Sequence, residues 1–317
     1  MRNLLTSKAF PAYLMVFFIY LVGALTIEGY TSLFSIRAML VLASFLIIAS
    51  AGQTLVMLIG GIDLSIPFVI GFANVAIAQL SADGLPFGLA MIIVVAISAL
   101  LGAINGGLSS ALKVHPLIIT LGTGTALLGC VLLWTRGYPS GSAPEYINEF
   151  VSIGQTIGPF PFPWLVPATA LLAISVMVFE SRTSLGRQIY ALGSNPSAAP
   201  FVLIKPVRIW IFCFVSSSVL AAITGILLLG FSGAAFADVG RPYLFQTVAA
   251  AVIGGTALSG GRGGIFGTVA GALALTQLNT VLIGLGLDQS LVQVALGALI
   301  IGAVAVYGRQ AHLGTEI

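Results

Sequence analysis

Apolar runs nearly as long as a bilayer is thick follow one another along this chain, and that pattern leaves few folds open. A helix needs about 20 apolar residues to cross the hydrocarbon core. A membrane barrel would instead show segments of about ten residues alternating polar and apolar positions. Here the runs are continuous, so the sequence predicts helices. The fold class is an all-α polytopic membrane protein of about ten transmembrane helices, at 10–27, 38–59, 66–81, 87–109, 116–134, 163–180, 208–230, 243–257, 265–284 and 290–307. Residues 1–317 read as a single transmembrane domain. The opening MRNLLTSKAF lacks a convincing cleavage site and reads as the start of a retained first helix.

A solvated surface is out of reach for this composition. Only 7% of the residues are charged and 58% are hydrophobic, where a soluble domain carries roughly 25% charged residues. The net charge of +3 has no lysine or arginine cluster behind it, so nucleic-acid binding is excluded. The charge instead follows topology. With the N-terminus inside, the cytoplasmic segments collect Arg2, Lys8, Lys113, Arg182, Arg187, Lys205, Arg208, Arg262 and Arg309, and the outside keeps Arg37, Arg136 and Arg241. Glu28, Asp83, Glu145, Glu149, Asp238 and Asp288 fall outside. This bias predicts that both termini are cytoplasmic.

Enzyme chemistry finds no footing. There is no GxxxxGK[ST], no HExxH, no CxxC and no Gly-x-Ser-x-Gly. The two histidines, His115 and His312, stand alone, so neither a metal site nor a cofactor bound by this chain is expected. Cys130 and Cys213 lie in apolar runs, where cysteine acts as a small hydrophobe.

Two connections are long. The outer one, 135–163, has Tyr146, Ile147, Phe150, Val151 and Ile153 spaced for a short helix on the membrane face. The inner one, 181–207, is basic, and Asn195-Pro196 resembles a helix N-cap followed by proline at the first position. A short helix through Ser197, Ala198 and Ala199 is expected there. Gly102/Gly106 and Gly267/Gly271 have the spacing of close helix contacts.

An internal echo stands out. LVMLIGGIDLSIP from Leu55 and AAAVIGGTALSGG from Ala249 each place two glycines after an apolar run, with Leu-Ser three residues beyond. Gly60, Gly61, Gly254 and Gly255 are therefore helix-break candidates. Such breaks in corresponding positions point to a transport path, although a plain turn at the membrane surface fits Asp63 and Pro67 as well. Polar residues in or beside the spans are candidate path residues or interhelical hydrogen bonds: Gln53, Asp63, Ser65, Asn105, Thr120, Gln246, Gln277 and Asn279. An ion-coupled secondary transporter with Asp63 as its coupling site is the alternative.

GQTLVMLIGGIDLSIP, VHPLIITLGT, GRQIYALGSNPSAA and AAAVIGGTALSGGRGGIFGTVAGAL together resemble the permease subunits of ribose-type ABC sugar importers, in the branched-chain amino acid/ribose permease family. The resemblance covers most of the chain in order. It implies a type II importer bundle of ten helices in two halves related by inverted topology, in the bacterial inner membrane. It also implies a second permease subunit, identical or different, with the substrate passing along the dimer axis. A cytoplasmic ATPase holding ATP and Mg and a periplasmic sugar-binding protein complete the implied importer. By position, Gly193, Asn195, Ala198 and Ala199 match the family's ATPase-coupling motif, and Arg37, Arg136 and Arg241 become candidate docking cations for the binding protein. Two departures stand out. Pro200-Phe201-Val202-Leu203-Ile204-Lys205-Pro206 replaces the usual basic turn, and Leu244, Phe245 and Gln246 stand where acidic residues are common.

Overall fold

The computed structural model describes residues 9–308 except 113, 157 and 159. Arg2, Lys8, Lys113, Arg309, His312 and the two chain ends therefore lie outside the described residues. The described chain is all helical: α1 (Phe10–Thr26), α2 (Leu33–Leu58), α3 (Ile66–Ala82), α4 (Phe87–Leu112), α5 (Pro116–Thr135), α6 (Glu145–Val151), α7 (Leu165–Arg182), α8 (Ser184–Ser194), α9 (Pro206–Ser232), α10 (Tyr243–Ile253), α11 (Ile265–Gly284) and α12 (Gln289–Gly308). Proline opens several of them, as at Pro67, Pro116 and Pro206, where its missing N–H costs nothing. Ser32 caps α2 by accepting from the Ser35 N–H at 3.2 Å.

Among the described residues, α2, α4, α5, α7, α9 and α11 are long and apolar enough to cross a membrane. The centre of the bundle is α2, α3 and α9, with α4 against α9 and with α1, α10, α11 and α12 along the other flank. Small residues set these contacts. A Cβ at Gly102 or Gly106 would press on the α9 backbone at Phe214 and Trp210, and one at Gly267 or Gly271 would press on α10 at Gly254 and Ala250. Both sequence-level glycine pairs thus mark real helix crossings.

α6 forms where a surface helix was expected, and Ile147 rests on Gly230 near the end of α9. Two expectations need correction. The inner connector is helical before Asn195 rather than after it: α8 occupies 184–194, and beyond Asn195 there is only a turn and a four-residue 3-10 segment, Ala199–Val202. Thr183 caps the start of α8 by accepting the Gly186 N–H at 3.0 Å, and burial of Ile189 and Leu192 holds the helix there.

The expected span 243–257 is the second correction. α10 has 11 residues, about 16 Å at 1.5 Å per residue, and stops at Ile253. The missing length comes from the stretch 233–242, irregular apart from a 3-10 turn at Ala237–Gly240, that runs down alongside α3 before α10 begins. The Phe236 N–H donates to Asn74 Oδ1 at 3.0 Å, and Asn74 Nδ2 donates to the Gly225 carbonyl at 3.1 Å. Further down, Ala237 covers Gly71 and Gly240 sits on Pro67. Pro67 lies fifteen residues from Ala82, the other end of α3, which is about 22 Å of helix.

Candidate functional site

α2 and α10 end the same way. Past Leu58, the Gly60 N–H donates to Met57 O (2.9 Å) and the Gly61 N–H to Val56 O (3.0 Å). Past Ile253, the Gly255 N–H donates to Val252 O (2.8 Å) and the Thr256 N–H to Ala251 O (2.9 Å). In each terminator one glycine takes a left-handed conformation, Gly60 at φ +81° and Gly255 at φ +89°. Gly60 therefore corresponds to Gly255 and Gly61 to Thr256, so the Gly-Gly echo is shifted by one residue. Gly254 serves the α10–α11 crossing instead.

The two breaks touch, and α8 closes the contact. The Gly261 N–H donates to the Leu58 carbonyl at 2.8 Å. Gly193 of α8 lies flat on the same carbonyl, and a Cβ there would overlap Leu58 O and come 2.6 Å from Gly261 N. Ile189 and Leu192 bury the inner face of α8 in a cluster with Leu55, Leu58, Ala199, Ile204 and Ile209. Tyr190 Oη donates to the Gly263 carbonyl at 2.9 Å. Burial, and then the nearby Glu180, push the Tyr190 phenol above its usual pKa, so it stays a neutral donor at physiological pH. Glu180 Oε2 accepts the Ile265 N–H at 3.1 Å, putting a carboxylate at the N-terminus of α11, where the helix dipole favours it. One side of α8 is thus tied to the end of α2 and to the loop between α10 and α11. Tyr190→Phe is expected to cost about 1 kcal/mol for one hydrogen bond, read as a small drop in the melting temperature of the purified protein, with the helix content unchanged.

The coupling-motif residues divide by burial. Gly193 and Ala199 are buried, whereas Asn195 and Ala198 are exposed. Asn195 Oδ1 accepts the Ala198 N–H at 2.9 Å and holds the turn. Beyond it Phe201 and Leu203 project, 89% and 90% exposed.

Four candidate path residues meet in one buried network beneath the first break. Asp63 Oδ1 accepts the Ser65 N–H (2.9 Å) and the Ser65 hydroxyl (2.5 Å), and Oδ2 accepts Ser217 Oγ (2.7 Å). Asn105 Nδ2 donates to Ser65 Oγ at 3.1 Å, Thr123 donates to Asn105 Oδ1 at 2.7 Å, and Thr120 accepts the Leu64 N–H at 3.1 Å. Asp63, Ser65, Asn105 and Thr120 are all buried. Gln53 is buried apart from this network on α2, with neither end of its amide hydrogen bonded to any of the described residues. Gln246, on α10, and Gln277 and Asn279, on α11, are partly exposed.

The three arginines differ as well. Arg37 Nε donates to the Pro161 carbonyl at 2.6 Å and ties α2 to the loop before α7. Arg136 is exposed in a left-handed conformation at the end of α5. Arg241 belongs to the descending stretch beside α3. Sequence reasoning missed Glu180, Tyr190, Ser217 and Thr123. Glu180 did leave a signal, an acid inside the last turn of an apolar span.

Residues 35–305 match the family described as branched-chain amino acid transport system / permease component. The chain belongs to this permease family. It is 35% identical over 290 residues to a probable ABC transporter permease protein of Escherichia coli K12, covering 90% of this chain and 85% of that one. It is 31% identical over 306 residues to the fructose import permease protein of Rhizobium meliloti (95% and 85% covered). Against the ribose import permease protein of Haemophilus influenzae the identity is 33% over 273 residues (85% and 82% covered). No solved structure matches the chain. Membership makes this permease a multi-pass inner-membrane transport subunit rather than an enzyme.

Proposed function

We propose that this permease is one of two membrane subunits through which an ATP-driven importer passes a monosaccharide into the cytoplasm. Permeases for fructose and ribose among its relatives support a sugar as cargo. In this reading ten crossings form two halves of a single domain. They are α1–α5, α7, α9, α10 together with 233–242, α11 and α12, with both termini cytoplasmic. The α8 end then faces a cytoplasmic ATPase, which carries the ATP and Mg. The α6 end faces a periplasmic sugar-binding protein, with Arg136 the freer of the two docking candidates there. No nucleic acid enters.

The observation that carries the mechanism is the attachment of α8 to both helix breaks. When ATP draws the ATPases together, a shift of α8 pulls on the end of α2 through Leu58 and on α10–α11 through Gly261 and Gly263. ATP drives the cycle only as far as it binds the two states differently. Gln53, Gln246, Gln277 and Asn279 remain path candidates. The closed network at Asp63, Ser65, Asn105 and Thr120 is assigned to holding the break in shape.

The test is uptake of D-ribose, D-fructose and D-allose by proteoliposomes holding this permease, its ATPase and its binding protein. Ala198→Glu puts a charge on the exposed turn without touching the core. It is expected to lower ATP-driven uptake by more than about tenfold, equivalent to ~1.4 kcal/mol, at an unchanged melting temperature. Ala199→Glu is the contrasting variant, since it buries a charge and is expected to unfold the inner cluster. Wild-type uptake that ignores ATP would overturn the proposal.

A further inference from the structure

Asp238 and Arg241 form an ion pair, Arg241 Nη1 to Asp238 Oδ2 at 3.6 Å, with side chains 69% and 80% exposed in the single chain. Charge asymmetry alone assigns both to an outer loop. Their position along the bundle differs. Ala237 and Gly240, on either side of Asp238, lie on Gly71 and Pro67 in the first turns of α3, and Phe236 is bonded to Asn74. From Gly71, α3 continues eleven residues to Ala82, about 16 Å. In the other direction, the eleven residues of α10 separate Arg241 from the knot at Leu58 and Gly261, again about 16 Å. With those two ends at its faces, a hydrocarbon layer about 30 Å thick has the pair near its middle.

Lipid is a poor neighbour for such a pair. An Asp or Arg at the centre of the bilayer costs about 2.5–3.5 kcal/mol on insertion scales. Irregular backbone at that depth is tolerated only when buried in protein or lining water. α3 covers one side of the stretch, and the ion pair is exposed away from it. Water on that side satisfies both conditions. The chemistry suits a sugar, because a carboxylate accepts from hydroxyls and a guanidinium donates to them in a planar fork. Phe245, one turn further along and 58% exposed, offers an apolar face to a sugar ring.

We propose that Asp238 and Arg241 line the aqueous translocation path and form a weak, transient site for the hydroxyls of the sugar in transit. The sugar half of this assignment rests on the import function proposed above; the aqueous half does not. The test uses the complete importer in proteoliposomes with Cys130→Ser as background, Cys213 being fully buried. Asp238→Cys and Arg241→Cys are compared with Leu100→Cys, which is 62% exposed at mid-length of α4. A charged methanethiosulfonate reagent is expected to modify the first two at least tenfold faster than the third. Protection is expected from whichever of D-ribose, D-fructose and D-allose the wild type takes up fastest. Arg241→Gln is expected to raise the KM for that sugar about tenfold. Rates no faster than that of Leu100→Cys would overturn the path assignment. Fast modification without protection, or an unchanged KM, would overturn the sugar site. Fast modification in a complex whose uptake ignores ATP would count against the import function alone, leaving the aqueous path standing.

Discussion

Gly193→Ala is expected to unseat α8 and stop import. The added methyl meets backbone on two sides, the Leu58 carbonyl oxygen and the Gly261 nitrogen, and neither can rotate away as a side chain would. The helix must therefore back off, breaking the hydrogen bond from Gly261 to Leu58 and loosening Ile189 and Leu192. Overpacking costs about 1–3 kcal/mol, and a lost hydrogen bond adds about 0.5–1.5 kcal/mol. Gly107→Ala is the control. It too is a helical glycine in the bundle, but its Cβ would stand 4.0 Å from the nearest neighbour, Ile211 Cδ1. Melting temperature and ATP-driven uptake should both fall for Gly193→Ala and hold for Gly107→Ala. Equal behaviour of the two variants would mean that α8 does not bear on the end of α2, and the proposed route of coupling would fail with it.

Legibility from sequence divides along physical lines. Continuous apolar runs are a strong signal because lipid leaves a helix no alternative, and every expected span contains a helix. The signal fails where protein replaces lipid as the neighbour. Residues 233–242 look like an outer loop, with Gly233, Gly240, Pro242 and a pair of charges, yet they descend along α3 because Gly71 and Gly240 admit their backbone and Asn74 supplies a bond. Of these only Gly240 lies in the stretch itself; Gly71 and Asn74 stand on α3, far away in sequence. The echo was legible as two breaks. Its shift by one residue was not, since the left-handed position is set by where each helix stops rather than by where glycines are paired. The echo also joins two helix ends at one point, so it does not relate inverted halves. Asn195 was legible as a capping residue, but Thr183 starts the longer helix because the apolar face at Ile189 and Leu192 needs the cluster beneath it.

Asp63 separates the importer from an ion-coupled carrier most sharply. Its carboxylate takes three hydrogen bonds, two from Ser65 and one from Ser217 of α9, and among the described residues no basic side chain forms an ion pair with it. Asp63→Ala would strand three buried donors at about 1–3 kcal/mol each, and the variant is expected to yield little folded protein. Asp63→Asn keeps an acceptor toward Ser65 and offers an amide to Ser217, whose hydroxyl can turn to accept it. This variant is expected to fold with a modest loss of melting temperature and to retain ATP-driven uptake within a few-fold. A coupling carboxylate behaves the other way: the isosteric amide leaves the fold intact and stops transport, because the group can no longer exchange its ion. Uptake by Asp63→Asn, measured with and without a proton gradient, therefore reads the role of the residue directly. A well-folded Asn variant that transports nothing would return Asp63 to the path. Sustained uptake that follows ATP alone makes the aspartate a fastener, holding the first turn of α3 to α9 where α2 has broken off.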